Sequence, residues 1–251
     1  TERRFTVDRS DAAKWARWGL CAVVLVQALG LVMTTRAEGT SIGTYLFLVL
    51  RWEEAASINF ERAFTLASVF ASALAVFART WRLRMAGGFF ASAWFAALAV
   101  GEWRMGGAPF TGFALLAHAT RIAAPALLAL WDRRAAALWT LRIAIALTFA
   151  VHGMEALRLH PGFIDYLLIA DARFAGLGLT QSGAELMLRV IGATDVVVAL
   201  LIVSGRDLRP VLLWASFWGV VTAFSRVVQG GEGALHQTLI RAANGGLPAV
   251  L

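Results

Sequence analysis

Residues 184–204 read AELMLRVIGATDVVVALLIVS, twenty-one positions of which only Glu185, Arg189 and Asp195 are ionisable. As a helix rising 1.5 Å per residue, such a stretch is about 30 Å long, the thickness of a bilayer's hydrocarbon core. No water reaches the backbone there, so a crossing segment must satisfy its own N–H and C=O groups, which a helix does. Working outward from it, seven further stretches have the same character: 16–34, 60–78, 85–101, 111–130, 138–157, 211–228 and 235–251. The last is short for a crossing.

The whole chain agrees with this reading. Its 251 residues are 59% hydrophobic and 16% charged, with a mean hydropathy of +0.68, whereas soluble domains carry about 25% charged residues. That composition excludes an ordinary water-soluble enzyme and a disordered segment. The single Cys21 excludes an intrachain disulfide and any CxxC metal or redox site. Of the 23 basic residues, 22 are Arg, scattered between apolar runs as membrane flanks rather than gathered into a nucleic-acid patch. The expectation is an all-α polytopic membrane protein of about eight transmembrane helices, with membrane lipids and no nucleic acid among its partners.

Arginine placement gives an expected direction. With the N-terminus in the cytoplasm, thirteen basic residues fall on the inner side, seven on the outer side and three within spans. This bias favours cytoplasmic N- and C-termini, and the bacterial inner (cytoplasmic) membrane is the expected location. Residues 1–15 read as a cytoplasmic tail. Loops 35–59 and 160–183 fall outside, each with an apolar piece (45–50 and 163–170) too short to span, expected as interfacial or re-entrant helices.

The chain also reads as if written twice. At an offset of 124, Glu61 pairs with Glu185, Ser92 with Ser216, Trp94 with Trp218 and Arg82 with Arg206. Gly106-Gly107 pairs with Gly230-Gly231, and Pro125 with Pro248 one residue out of step. Four crossings per unit is an even number, so the expectation is two parallel four-helix repeats, 16–130 and 131–251. The halves differ in polarity. Gln27 stands opposite His152, Gly30 opposite Glu155, Thr65 opposite Arg189 and Ala71 opposite Asp195, so chemistry is sought first in the second unit. In the fourth helix the comparison sets His118 and Arg121 against Arg241 and Asn244.

From Arg142 onward the chain resembles the DoxX-like family of small four-helix membrane proteins. The resemblance rests on His152-Gly153, on His160-Pro161 with the segment 163–170, and on Asp195 followed by an apolar run to Gly205-Arg206. Where that family has a Lys three residues after the Gly, this chain has Ala156, preceded by Glu155. The resemblance covers about 138–251 and is fainter over 16–130. It implies a membrane component of quinone or thiol redox systems, in some cases a subunit of a larger oxidoreductase.

Ionisable residues inside a membrane are costly and face protein or a cavity. His152 and Glu155 share one helix face, and Glu185 and Arg189 share another. These four are expected to converge toward the outer side, with Asp195 beneath. One reading makes His152, Glu155 and Asp195 catalytic groups that exchange a quinol proton, with Glu185, Arg189 and His236 binding the ligand. The other makes them an ion-pair network that fixes helix register. No paired-histidine pattern for haem and no tight zinc cluster occurs, so no metal and no resident cofactor is expected, and quinone is the ligand considered. The leading functional expectation is an accessory membrane subunit of a redox or electron-transfer complex, docked against other integral membrane subunits and lining a quinone-side pocket. The alternatives are a stand-alone quinol-reactive oxidoreductase and a small-molecule transporter. Against the transporter, neither unit shows an evident mid-span helix break in its sequence.

Overall fold

The computed structural model describes residues 9–206 and 209–251. Its α-helices are α1 (Arg9–Ala37), α2 (Ser41–Leu48), α3 (Glu54–Phe77), α4 (Trp81–Met105), α5 (Ala114–Ala117) and α6 (Ala119–Leu130) in the first half. The second half contributes α7 (Arg134–Leu157), α8 (Pro161–Ala170), α9 (Gln181–Val203), α10 (Arg209–Gly230), α11 (Leu235–Leu239) and α12 (Ala242–Val250). No strand occurs among the described residues. The protein is an all-α polytopic membrane protein. Seven segments are long and apolar enough to cross a bilayer. Large apolar side chains such as Leu66, Phe70, Leu200 and Leu213 stand on the outside, where only lipid or a partner suits them. Exposed Trp15, Trp18, Trp81 and Trp139 ring one end, and Trp52 and Trp103 the other, as an aromatic belt requires.

Three sequence expectations need correction. Residues 9–15, read as a tail, form the first two turns of α1; Arg3, Arg4 and Asp8 lie outside the described residues. The expected eighth crossing, 235–251, is not one helix but α11 and α12, interrupted at Ile240 and Arg241. There the Arg241 and Asn244 N–H groups turn to acceptors three residues back, Thr238 and Arg241, and tighten the chain. The fourth crossing is interrupted likewise. His118 between α5 and α6 has φ −97° and ψ 11°, and Arg241 has φ −96° and ψ 9°. Both breaks contradict the expectation of unbroken helices.

Prolines explain the polar bond that holds α6 in place. Pro125 has no N–H to give the carbonyl of Arg121, four residues back. Gln27, fully buried on α1, supplies the missing donor, with its Nε2 2.8 Å from that oxygen. Nearby, Thr120 donates to Asn244 Oδ1 at 2.8 Å, tying α6 to α12.

These helices form the centre. The largest apolar cluster gathers Leu20 and Val24 of α1, Ala124 and Leu127 of α6, Leu141 and Ile145 of α7, and Ala243 and Leu247 of α12. Contacts cross between the halves in a matching way: α1 rests on α11 and α12, and α7 rests on α5 and α6. On the flanks, α3 packs on α1, α4 on α6, α9 on α7 and α10 on α12. Short α2 lies over α3 and α4, and α8 over α9 and α10.

Candidate functional site: a chamber between α9 and α10

The flanks differ in one decisive respect. In the first half α3 and α4 pack closely together, whereas α9 and α10 scarcely touch. Three differences in side-chain size produce this. Phe64 stacks on Phe60 at 4.4 Å and on Trp94 at 5.1 Å between ring centres, filling the space between α3 and α4. At the 124-residue offset Phe60 and Phe64 give way to Ala184 and Leu188. Gly87 lets the α4 backbone press on Ala71 of α3, but Val211 takes its place in α10. Finally, Gly153 and Gly192 face each other across α7 and α9, so close that a Cβ on Gly192 would stand 2.6 Å from the Gly153 oxygen. Their counterparts are Ala28 and Ser68. The glycine pair draws α9 against α7 and away from α10.

The result is a cavity of about 240 Å³ bounded by α7, α9, α10 and α12, with α8 over it. Phe149, Phe163, Leu167, Leu188, Ile191 and Val221 make its walls apolar. Polar groups enter among them. Asp195, 5% exposed, and the Trp218 indole are neighbours, although Asp195 Oδ1 and Trp218 Nε1 fall short of full hydrogen-bond geometry. Arg226 lies over the Tyr166 ring at 4.7 Å and has no carboxylate within 4 Å among the described residues. Arg241 and Asn244 complete the lining from the α11–α12 segment. His152 reaches the chamber from α7, with Nδ1 2.9 Å from Glu155 Oε2.

Of the residues singled out in the sequence, His152, Glu155 and Asp195 therefore meet at or beside one cavity. Glu185, Arg189 and His236 do not line it. Glu185 accepts a bond from Gln181, Arg189 is exposed, and His236 lies elsewhere, 3.3 Å from Glu38. Convergence of all four outer residues is thus not what the fold produces. α9 turns Asp195 inward and Arg189 outward. The cations at the chamber are instead Arg226 and Arg241, and the Trp218 indole is a donor there. The loss of Phe60 and Phe64 at the paired positions was the legible sign of a void.

The roof is held by loop chemistry. His160 Nδ1 accepts from the Gly162 N–H at 3.1 Å at the start of α8, and its ring stacks between Phe110 and Phe163. Burial holds this imidazole below its ordinary range, in keeping with an acceptor nitrogen. After α8, Asp171 accepts from the Leu179 and Leu177 N–H groups at 2.7 and 2.9 Å, which lowers its carboxyl below the usual aspartate value.

Among the described residues no group of three or more His, Cys, Asp or Glu is placed to hold a metal ion. No family model matches the chain, and neither a curated protein nor a solved structure matches it.

Proposed function

We propose that the chain is an integral membrane subunit of a redox or electron-transfer complex whose α9–α10 chamber holds a quinone-class ligand. It is read as two parallel four-helix units, the second DoxX-like. The observation that carries the reading is the chamber's combination of apolar walls with a few polar groups, Asp195 beside Trp218, and Arg226 and Arg241. A quinone ring presents a carbonyl at each end of a flat apolar body. Arg226, Arg241 and the Trp218 indole offer donors for such carbonyls, and Asp195 and the His152–Glu155 pair offer acceptors for the hydroxyls of the reduced form. His152, oriented by Glu155, is the group placed to take and return a hydroxyl proton. No electron carrier belongs to this assignment. In it the partner subunit supplies the oxidant or reductant, docked on the exposed apolar faces of α9 and α10.

The test is purification from native membranes, followed by solvent extraction and quantitation of bound quinone. Wild-type protein is expected to carry it near stoichiometrically, and Asp195→Leu far less. Equal quinone in both, or none in either, defeats the proposal.

One observation favours a second reading. The interruptions at His118 and Arg241 fall in the fourth crossing of each half, and discontinuous helices at corresponding positions are a transporter feature. Ligand-dependent accessibility of Cys residues placed on both sides of these breaks distinguishes the two readings. A fixed binding subunit shows no alternation.

A further inference from the structure

A second cavity, of about 220 Å³, lies on the other side of Arg241 and shares only that residue with the chamber. Two carboxylates at this cavity, Glu38 and Glu102, have side chains about half exposed; Glu38 accepts from Gln237 Nε2 at 3.1 Å, and each has an imidazole within 4 Å. Glu102 lies 3.6 Å from His118 Nε2, and Glu38 3.3 Å from His236 Nε2. Further in, Arg121 is only 8% exposed and its guanidinium forms no hydrogen bond or ion pair among the described residues; its Nε is wholly buried and unpartnered. Arg241 commits one nitrogen to the Gln237 carbonyl at 2.6 Å. Arg241 and Arg226 both repel Arg121, and Glu102 alone offsets them. The buried Thr34 hydroxyl at the same cavity also lacks a partner.

A guanidinium keeps its charge in any protein, with five donors in a fixed fork. Two such groups face one cavity; Glu102 and Glu38 offset their charge only from a distance, and no carboxylate comes within 4 Å of either guanidinium among the described residues, so donors remain that call for an acceptor of opposite charge. We infer that this cavity is a binding site for a single phosphate-type oxyanion, clamped between Arg121 and Arg241 with the Thr34 hydroxyl as an added donor. A free phosphate and a lipid phosphate headgroup present the same chemistry. The inference stands independently of the quinone reading.

The full chain in phosphatidylcholine nanodiscs is titrated with inorganic phosphate, with sodium chloride matched for ionic strength, while its thermal midpoint is followed. A parallel sample contains phosphatidylglycerol and no phosphate. Wild-type protein is expected to rise in midpoint with phosphate, with phosphatidylglycerol, or with both; a lipid source is identified by the second response and by weakened phosphate binding in that sample. Arg121→Gln, which leaves the backbone carbonyl bonded to Gln27, is expected to weaken the response at least tenfold. Glu102→Gln, removing a competing acceptor at a half-exposed site, is expected to strengthen it several-fold and serves where the arginine variant does not fold. Failure of both anions to act on wild-type protein, or responses unchanged in the variants, overturns the site.

Discussion

Replacing Gly192 by Ala tests why the chamber exists. A Cβ there would lie 2.6 Å from the Gly153 oxygen and 2.8 Å from the Leu157 nitrogen. Both are backbone atoms of α7, so no side chain can swing aside. α9 must retreat by about 0.8 Å to restore ordinary contact, and overpacking of this kind costs about 1–3 kcal/mol. With two backbone atoms in the way the upper part of that range applies, about 2–3 kcal/mol; Ala regains about 1 kcal/mol of helix propensity over Gly, leaving a net loss of about 1–2 kcal/mol. In a domain of this size that lowers the thermal midpoint by about 3–6 °C, measured by heating the protein in a mild detergent. Because Asp195 lies one turn from Gly192, the retreat also moves it into the chamber, and ligand affinity falls with stability. Adding Gly153→Ala costs less than its single effect, since α9 has already moved. Gly233→Ala, with nothing within 4 Å of its new Cβ, is the control and leaves the midpoint within about 1 °C. If Gly192→Ala behaves like this control, the α7–α9 contact does not set the chamber's width and the reasoning fails.

Other expectations follow from named contacts. Gln27→Leu leaves the Arg121 carbonyl buried without a donor and costs about 1–3 kcal/mol; Pro125→Ala returns the helix N–H to that carbonyl, so the double variant recovers most of the loss in denaturation midpoints. A neutral His160 in the fold, against an unfolded state that takes up a proton near the ordinary histidine value of 6.5, makes stability full above that pH and lost as pH falls through the lowered folded value. His160→Asn flattens this acid dependence of the thermal midpoint. Asp171 has the carboxylate form of the same linkage: its contribution is present above the ordinary aspartate value of 3.8 and lost as pH falls through the lower folded value. Asp171→Asn accordingly speeds protease cleavage between 176 and 180 at neutral pH.

Crossings were legible where burial and length agree, as in 184–204, because hydropathy alone decides whether a helix belongs in lipid. The fourth helix of each half was not. Its breaks, at His118 and at Ile240–Arg241, leave no mark in hydropathy, and only tertiary structure shows Gln27 answering the Arg121 carbonyl that Pro125 leaves free. At the site, Asp195 and the His152–Glu155 spacing could be read directly, since in-membrane charge is rare and residues three apart share a face. Arg189 could not be assigned from depth. It lies at a suitable level but its position around α9 turns it outward, and rotation is fixed by the Gly153–Gly192 contact. Arg226 and Arg241 escaped notice because their partners are cavities, which have no sequence signature apart from the missing bulk of Phe60 and Phe64.

The most direct test of the chamber assignment is photo-crosslinking with a short-tailed azidoquinone in lipid nanodiscs, with labelled peptides mapped by mass spectrometry. The account predicts adducts concentrated on Phe163, Tyr166 and Trp218, competed by unlabelled quinone and lost in Asp195→Leu protein that retains its thermal midpoint. Labelling spread over the outer faces of α3, α4 and α9, with no competition and no effect of the substitution, would contradict it.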